Sequence, residues 1–157
     1  ASTKDIYKNI KLHMIGKLQS NKAKKAVKLF DYIHGLDSYK LASKISQHEK
    51  ELNKKIKIFI QVNLGDESQK SGILLKNLNS FYIYCTKELS LNIIGLMCIP
   101  PINQDPSEHF KTLKLTADKL GLKDLSMGMS SDFVIALLNG STYLRLGTII
   151  MGKRSVT

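Results

Sequence analysis

The stretch LSMGMSSDFVIALLNGSTYLRLGTIIMGKR, Leu125 to Arg154, concentrates residues that can hold an anion. An apolar run ends in Gly128, turns through Met129 and Ser130, and enters a helical pattern at about Ser131. Backbone N–H groups and the Ser130 hydroxyl therefore converge where a helix dipole favours negative charge. Arg145 follows on the next apolar run, with Gly147 and Thr148 close behind it as a second pair of backbone donors. The arginine is conspicuous, because the chain has 24 lysines and arginines and only Arg145 and Arg154 are arginines. A lysine would supply the same charge, so the position calls for a planar, permanently charged fork. Each residue also has a simpler use. Ser130 could cap a helix, Gly147 could relieve crowding, and Arg145 could pair with a carboxylate such as Asp132. Their joint spacing points to a phosphate-bearing ligand.

The elements that must position these residues follow from periodicity. Short apolar runs at 12–16, 31–36, 55–64, 92–99, 124–128 and 143–152 predict strands, and amphipathic segments at 20–30, 38–53, 74–89, 106–121 and 131–140 predict helices. Ser20, Asp37 or Ser38, and Ser130 or Ser131 can cap helix starts, while Gly121 and Gly140 can end helices. Strands alternating with helices imply parallel βαβ units in one domain, covered on both faces. An eight-stranded β/α barrel needs at least about 200 residues, and the chain has 157. The pattern thus fits an open doubly wound sheet or a barrel lacking its first quarter. In barrels of this kind the loops after the last two strands commonly hold phosphate.

Composition narrows the function classes. At 43% hydrophobic the chain can bury a core, and its longest apolar runs fall short of the about 20 residues that span a bilayer. A cytoplasmic protein with no membrane partner is the expectation. The formal charge is +11, with a basic run over residues 6–30, which could serve RNA or DNA. The excess is nearly all lysine, in company with many Ile and Asn, and reads instead as a solvated surface under a coding bias. Cys85 and Cys98 lie in apolar segments without paired spacing and are expected as buried free thiols. His13 and His34 are expected to be packed and hydrogen-bonded, His48 and His109 solvated on helices. No metal-ligand spacing is present.

The segments HMIGKLQSNK, QVNLGDESQKSG, GLMCIPP, LSMGMSSDF and GSTYLRLGTIIMGKR resemble, in order, the signature segments of the pyridoxal phosphate homeostasis protein family, itself related to the N-terminal barrel domain of alanine racemase. The resemblance runs from about Leu12 to Arg154. It implies a TIM-type β/α barrel with about six of eight strands present, residues 1–157 forming one domain incomplete at its N-terminus. It implies that Ser130, with the backbone at Met129, Gly147 and Thr148, holds the phosphate of pyridoxal 5'-phosphate, and that Arg145 faces the pyridine nitrogen. A guanidinium there donates to the ring nitrogen and keeps it unprotonated, which weakens the ring as an electron sink. The family's cofactor-linking lysine lies on a first strand that has no counterpart here. Lys4 lies too close to His13 to replace it, and Lys70, just after the third apolar run, is the candidate substitute. Gln19, Asn21 and Lys22 match a loop at the mouth of the site, although Asn21 could equally cap a helix.

The function so implied is cofactor storage and delivery in intracellular vitamin B6 homeostasis without strong catalysis. Apoenzymes that use the cofactor are the implied partners. Unpaired sheet edges would add self-association or a chain supplying strands. A racemase-like or other phosphate-binding barrel enzyme is the alternative, with a basic RNA-binding protein behind it.

Overall fold

The computed structural model describes residues 10–65 and 71–152. Their frame is a parallel sheet built from β1 (His13–Met14), β2 (Tyr32–Leu36), β3 (Lys57–Asn63), β4 (Ile73–Leu74), β5 (Ile93–Met97), β6 (Asp124–Met129) and β7 (Tyr143–Arg145). The strand order is β1-β2-β3-β5-β6-β7, with the two-residue β4 pairing beside β3, and every pairing is parallel. The helices are α1 (Ala23–Leu29), α2 (Tyr39–Glu51), α3 (Leu75–Ile83), α4 (Pro106–Lys119), α5 (Phe133–Leu138) and α6 (Thr148–Met151).

The strand alternation separates two interiors. On β3, Ile58, Ile60 and Val62 join the core shared with Leu41, Ala42 and Ile45 of α2, Leu78 and Phe81 of α3, and Phe110 and Leu113 of α4. Phe59 between them turns the other way and stacks on His34 at 4.4 Å between ring centroids. That second interior is concave. The rings of His13 on β1 and Tyr143 on β7 lie 6.0 Å apart, although these strands stand at opposite ends of the order. The sheet is therefore curled into part of a barrel with helices on its outer side.

Helix boundaries follow local chemistry where a suitable side chain is free to act. The Ser38 hydroxyl accepts from the Leu41 N–H and starts α2; Asp105 accepts from the Ser107 N–H ahead of Pro106, starting α4. Gly121, at φ +69°, closes α4 as expected, and Gly140, at φ +87°, follows α5. Other expectations fail. Ser20 does not cap: residues Ser20–Lys22 form a 3-10 turn leading into α1, with no side-chain cap from Asn21 or its neighbours. Neither Ser130 nor Ser131 caps α5, which begins after Asp132. The segment 74–89 is helical, but passes from α3 into a π-turn at Tyr84–Glu88.

The largest correction concerns the strand expected over 143–152. It ends at Arg145, and Thr148–Met151 form a helical turn instead. The Ile-rich sequence has strand propensity, but that propensity acts through neighbours on a sheet, and β7 pairs only with β6 among the described residues. The turn is fixed by backbone bonds from Ile150 and Met151 N–H to the Gly147 carbonyl. Ile149, Ile150 and Met151 consequently remain exposed.

Cys85 and Cys98 are free and buried, as expected, and burial pushes both thiols up to about 12. His48 is not solvated: it is half-buried and pairs through Nδ1 with Glu51 at 2.9 Å. His109, also half-buried, bonds the Gln104 side chain at 2.7 Å. No helix among the described residues is long and apolar enough to cross a membrane, and none of their His, Cys, Asp and Glu side chains cluster as a metal site.

Candidate functional site

The carboxyl ends of parallel strands, where helices begin, are the general place for ligands in α/β proteins. Here a cavity of about 1110 Å³ opens at that end. Met129, Ser130, Arg145, Gly147 and Thr148 all line it, so five of the six cofactor residues expected from the sequence come together, Lys70 lying outside the described residues. His13, His34 and Tyr143 line it as well.

The anion-binding part sits where β6 and β7 end. Gly128, at φ +95°, makes the turn out of β6, and a Cβ there would come within 2.6 Å of Ala136 Cβ and 2.9 Å of a Leu144 methyl. Only glycine lets β6, α5 and β7 approach this closely. Beyond it, the Ser130 hydroxyl oxygen accepts from two backbone N–H groups, those of Gly147 and Ile149, each at 3.3 Å. The Met129 N–H donates to Asp132 Oδ1 at 2.6 Å. A ring of donors thus closes on side-chain oxygens. Nothing lies within 4 Å of where a Gly147 Cβ would stand, so this glycine leaves open space above the donors and does not relieve crowding. N–H groups, two hydroxyls and open space fit a phosphate group.

Arg145 lies deeper. Its guanidinium donates to Ser126 Oγ at 2.8 Å and to the Cys98 carbonyl at 2.8 Å. The pairing with Asp132 considered from the sequence is not made; Asp132 bonds its own turn instead. Burial lowers the Arg145 pKa, opposed by Cys98 and Asp132. A guanidinium is so strongly basic that the group stays charged all the same.

A hydrogen-bonded chain continues from Arg145 across the concave face. Ser126 Oγ meets His34 Nδ1 at 2.7 Å, and His34 Nε2 meets His13 Nδ1 at 2.9 Å. Both histidines are packed and bonded, as expected, and both also face the cavity. Burial, with His13 and Arg145 beside it, pushes the His34 pKa down to about 4. His13 stacks on Tyr32 at 4.0 Å, and its pKa is lowered by burial against the opposing charge of Asp31. Burial and Tyr32 raise the Tyr143 hydroxyl to about 12.

Sequence reasoning missed Ser126 and Tyr143 as site residues. A period-two signal could have found them: Ser126, Gly128 and Ser130 alternate along β6 and its extension, as do Tyr143 and Arg145 on β7. Gln19 and Asn21 do not line this cavity. With Asp37 and Lys40 they border a separate one of about 450 Å³, and Lys22 borders neither. Lys70 and Lys4 lie outside the described residues.

The model of the alanine racemase N-terminal domain family matches residues 5–155. The chain belongs to this family. Among curated relatives, the pyridoxal phosphate homeostasis protein of Aquifex aeolicus is 35% identical over 93% of this chain and 68% of its own length. That of Synechocystis is 39% identical over 94% of this chain and 72% of its own length. The Escherichia coli protein of that name is 34% identical, over 90% of this chain and 64% of its own length. The chain thus spans about two thirds of its relatives. PipY of Synechococcus elongatus, solved with PLP bound, superposes with a TM-score of 0.87 at 33% identity, over 95% of this chain and 74% of PipY. Alanine racemase of Corynebacterium glutamicum shares the fold, with a TM-score of 0.71 at 15% identity, over 98% of this chain and 44% of that enzyme. The fold is therefore the TIM-type β/α barrel of this family, of which the curled sheet forms a part.

Proposed function

We propose that this chain binds pyridoxal 5'-phosphate and acts in vitamin B6 homeostasis as a cytoplasmic carrier of the cofactor. The observation that carries the reading is the convergence of Ser130, the Gly147 and Ile149 N–H groups that meet it, and Thr148 with the half-buried Arg145 around one cavity. When bound, the cofactor supplies an aldehyde that can combine with amines. The chain's residues bind and orient it. The Met129–Ser130 turn and the Gly147–Ile149 N–H groups take the phosphate, with Ser130 Oγ turning from acceptor to donor. Arg145, held by Ser126 and the Cys98 carbonyl, presents a proton that it cannot give up toward the ring nitrogen. A ring nitrogen kept neutral makes the cofactor a poor electron sink, which favours storage and delivery to apoenzymes over turnover.

Isothermal titration with pyridoxal phosphate and with inorganic phosphate tests the reading; no binding of either at millimolar levels would end it. Borohydride reduction of the mixture followed by peptide mapping asks whether Lys70 or Lys4 carries the cofactor covalently. Racemisation of alanine by the chain would favour the enzymatic alternative. The outer edges of β1 and β7 have no strand neighbour among the described residues, and such edges invite another strand. Self-association or a strand-donating chain follows, and a strictly monomeric sedimentation profile would count against it.

A further inference from the structure

The chain of groups from Arg145 to His13 has a direction. Arg145 carries only donors, so Ser126 Oγ must accept from it. Ser126 is fully buried and its hydroxyl has one proton of its own, for which His34 Nδ1 is the acceptor within reach among the described residues. If His34 donated through Nδ1 instead, that proton would point at nothing and Ser126 would bear the full desolvation penalty. The hydroxyl therefore donates, His34 Nδ1 is bare, and the His34 proton sits on Nε2. From there it is donated to His13 Nδ1, which must also be bare. A neutral His13 then holds its proton on Nε2, and none of the described residues accepts it.

We propose that Arg145, acting through Ser126 and His34 as positioning residues, fixes the tautomer of His13 so that His13 offers a neutral Nε2–H donor to a ligand oxygen in the cavity. The chain of bonds carries no net proton transfer; each proton stays on its own atom and only the orientation is transmitted. His13 lines the cavity along with Arg145 and Ser130, so a ligand spanning the phosphate cup and the arginine meets a third polar contact there. The oxygen it selects is an acceptor, such as a phenolate, carbonyl or carboxylate. Stacking on Tyr32 holds the imidazole ring at the orientation this requires. Because His34 is neutral above about pH 4, the arrangement persists at neutral pH. This inference rests on the cofactor reading for its ligand, but not for its tautomers.

Long-range proton–nitrogen NMR correlation spectra of the labelled chain without ligand test the tautomers first. Both His13 and His34 are expected as Nε2–H forms at neutral pH, and an Nδ1–H form at either would overturn the proposal. Ser126→Ala should mix the His34 tautomers, whereas Ser126→Thr, which keeps the hydroxyl, should restore the wild-type pattern. Unchanged tautomers in Ser126→Ala would overturn the relay; should that variant fail to fold, the wild-type spectrum still decides. Titration with pyridoxal phosphate then tests the ligand contact. The His13 Nε2–H resonance should shift as the site saturates, and His13→Phe, which keeps the stack on Tyr32, should weaken binding about tenfold. Wild-type affinity in His13→Phe would overturn the role of His13. A chain that binds no pyridoxal phosphate but shows both Nε2–H forms would fail the cofactor reading and keep the relay.

Discussion

The two ends of the sheet use their polar groups in opposite ways. At the amino end of β3, Glu49 is fully buried, and its carboxylate accepts from the Ile56 N–H at 2.9 Å and from Lys55 at 2.8 Å. Lys55 also reaches the Ser90 carbonyl, and Ser46 donates to the Leu89 carbonyl, so α2 is tied to the strand entry and to the turn before β5. Each of these groups is used up in holding the backbone. At the carboxyl end, Ser130, Thr148 and His13 line a cavity and keep hydrogen-bonding capacity for a guest. In β/α barrels the first end commonly serves stability and the second chemistry. The contrast gives a criterion: substitutions at one end should move stability and leave binding alone, and those at the other should do the reverse.

Glu49→Ala should have the largest effect. It removes the buried acceptor of the Ile56 N–H and strands that donor, a loss of about 3 kcal/mol with the packing included. Denaturant unfolding should show it, while the affinity for pyridoxal phosphate in the folded protein stays at the wild-type value. A change in affinity without a change in stability would invert the contrast.

His34 breaks the division, since it lies at the site but bears on stability. The unfolded chain takes up a proton near the ordinary value of 6.5, the folded chain only near 4. Between these values the unfolded state binds more protons, so stability falls as pH drops from about 6.5 to about 4 and levels off below. At about 1.4 kcal/mol for each pH unit of that window, His34 accounts for up to about 3 kcal/mol. Urea titrations across this window should show that slope in the wild type and a shallower one in His34→Asn. An identical slope in the variant would place the titrating group elsewhere.

How far this contrast could be read in advance depends on what each feature needs. The apolar runs of β3 and β5 and the spacing of Leu41, Ile45 and Glu49 on α2 are local, so the alternation of strands and helices is legible in the chain. Arg145, Ser130 and Gly147 are legible because few residue types make an anion site and they fall close together. The end of β7 is not legible: the Ile pair at Ile149 and Ile150 has strand propensity, yet among the described residues β7 has no second strand beside it and the chain turns helical on the Gly147 carbonyl. The relay is illegible for a different reason. His34 and Ser126 are 92 residues apart and meet only because β2 and β6 curl around one concave face.

Within the site, Ser130→Ala should weaken pyridoxal phosphate and inorganic phosphate about tenfold, the cost of one hydrogen bond to a charged group. Titration calorimetry of both ligands measures it, and its melting temperature should stay close to wild type. Equal losses for both ligands would place the effect at the phosphate; a loss confined to pyridoxal phosphate would move Ser130 toward the ring.

Asp132 should give the smallest shift, and in the opposite direction. Its Oδ1 accepts from the Met129 N–H, so a carboxylate stands on one of the donors assigned to the phosphate. An incoming dianion must displace that oxygen and meets its charge. Asp132→Asn keeps an acceptor for the Met129 N–H through the amide oxygen and removes the charge. Phosphate affinity should therefore rise about threefold, more at low ionic strength, where exposed charges are least screened. A fall in affinity would mean that Asp132 holds the Met129–Ser130 turn in its binding form, and the adaptable end of the sheet would then depend on a structural carboxylate, just as the amino end depends on Glu49.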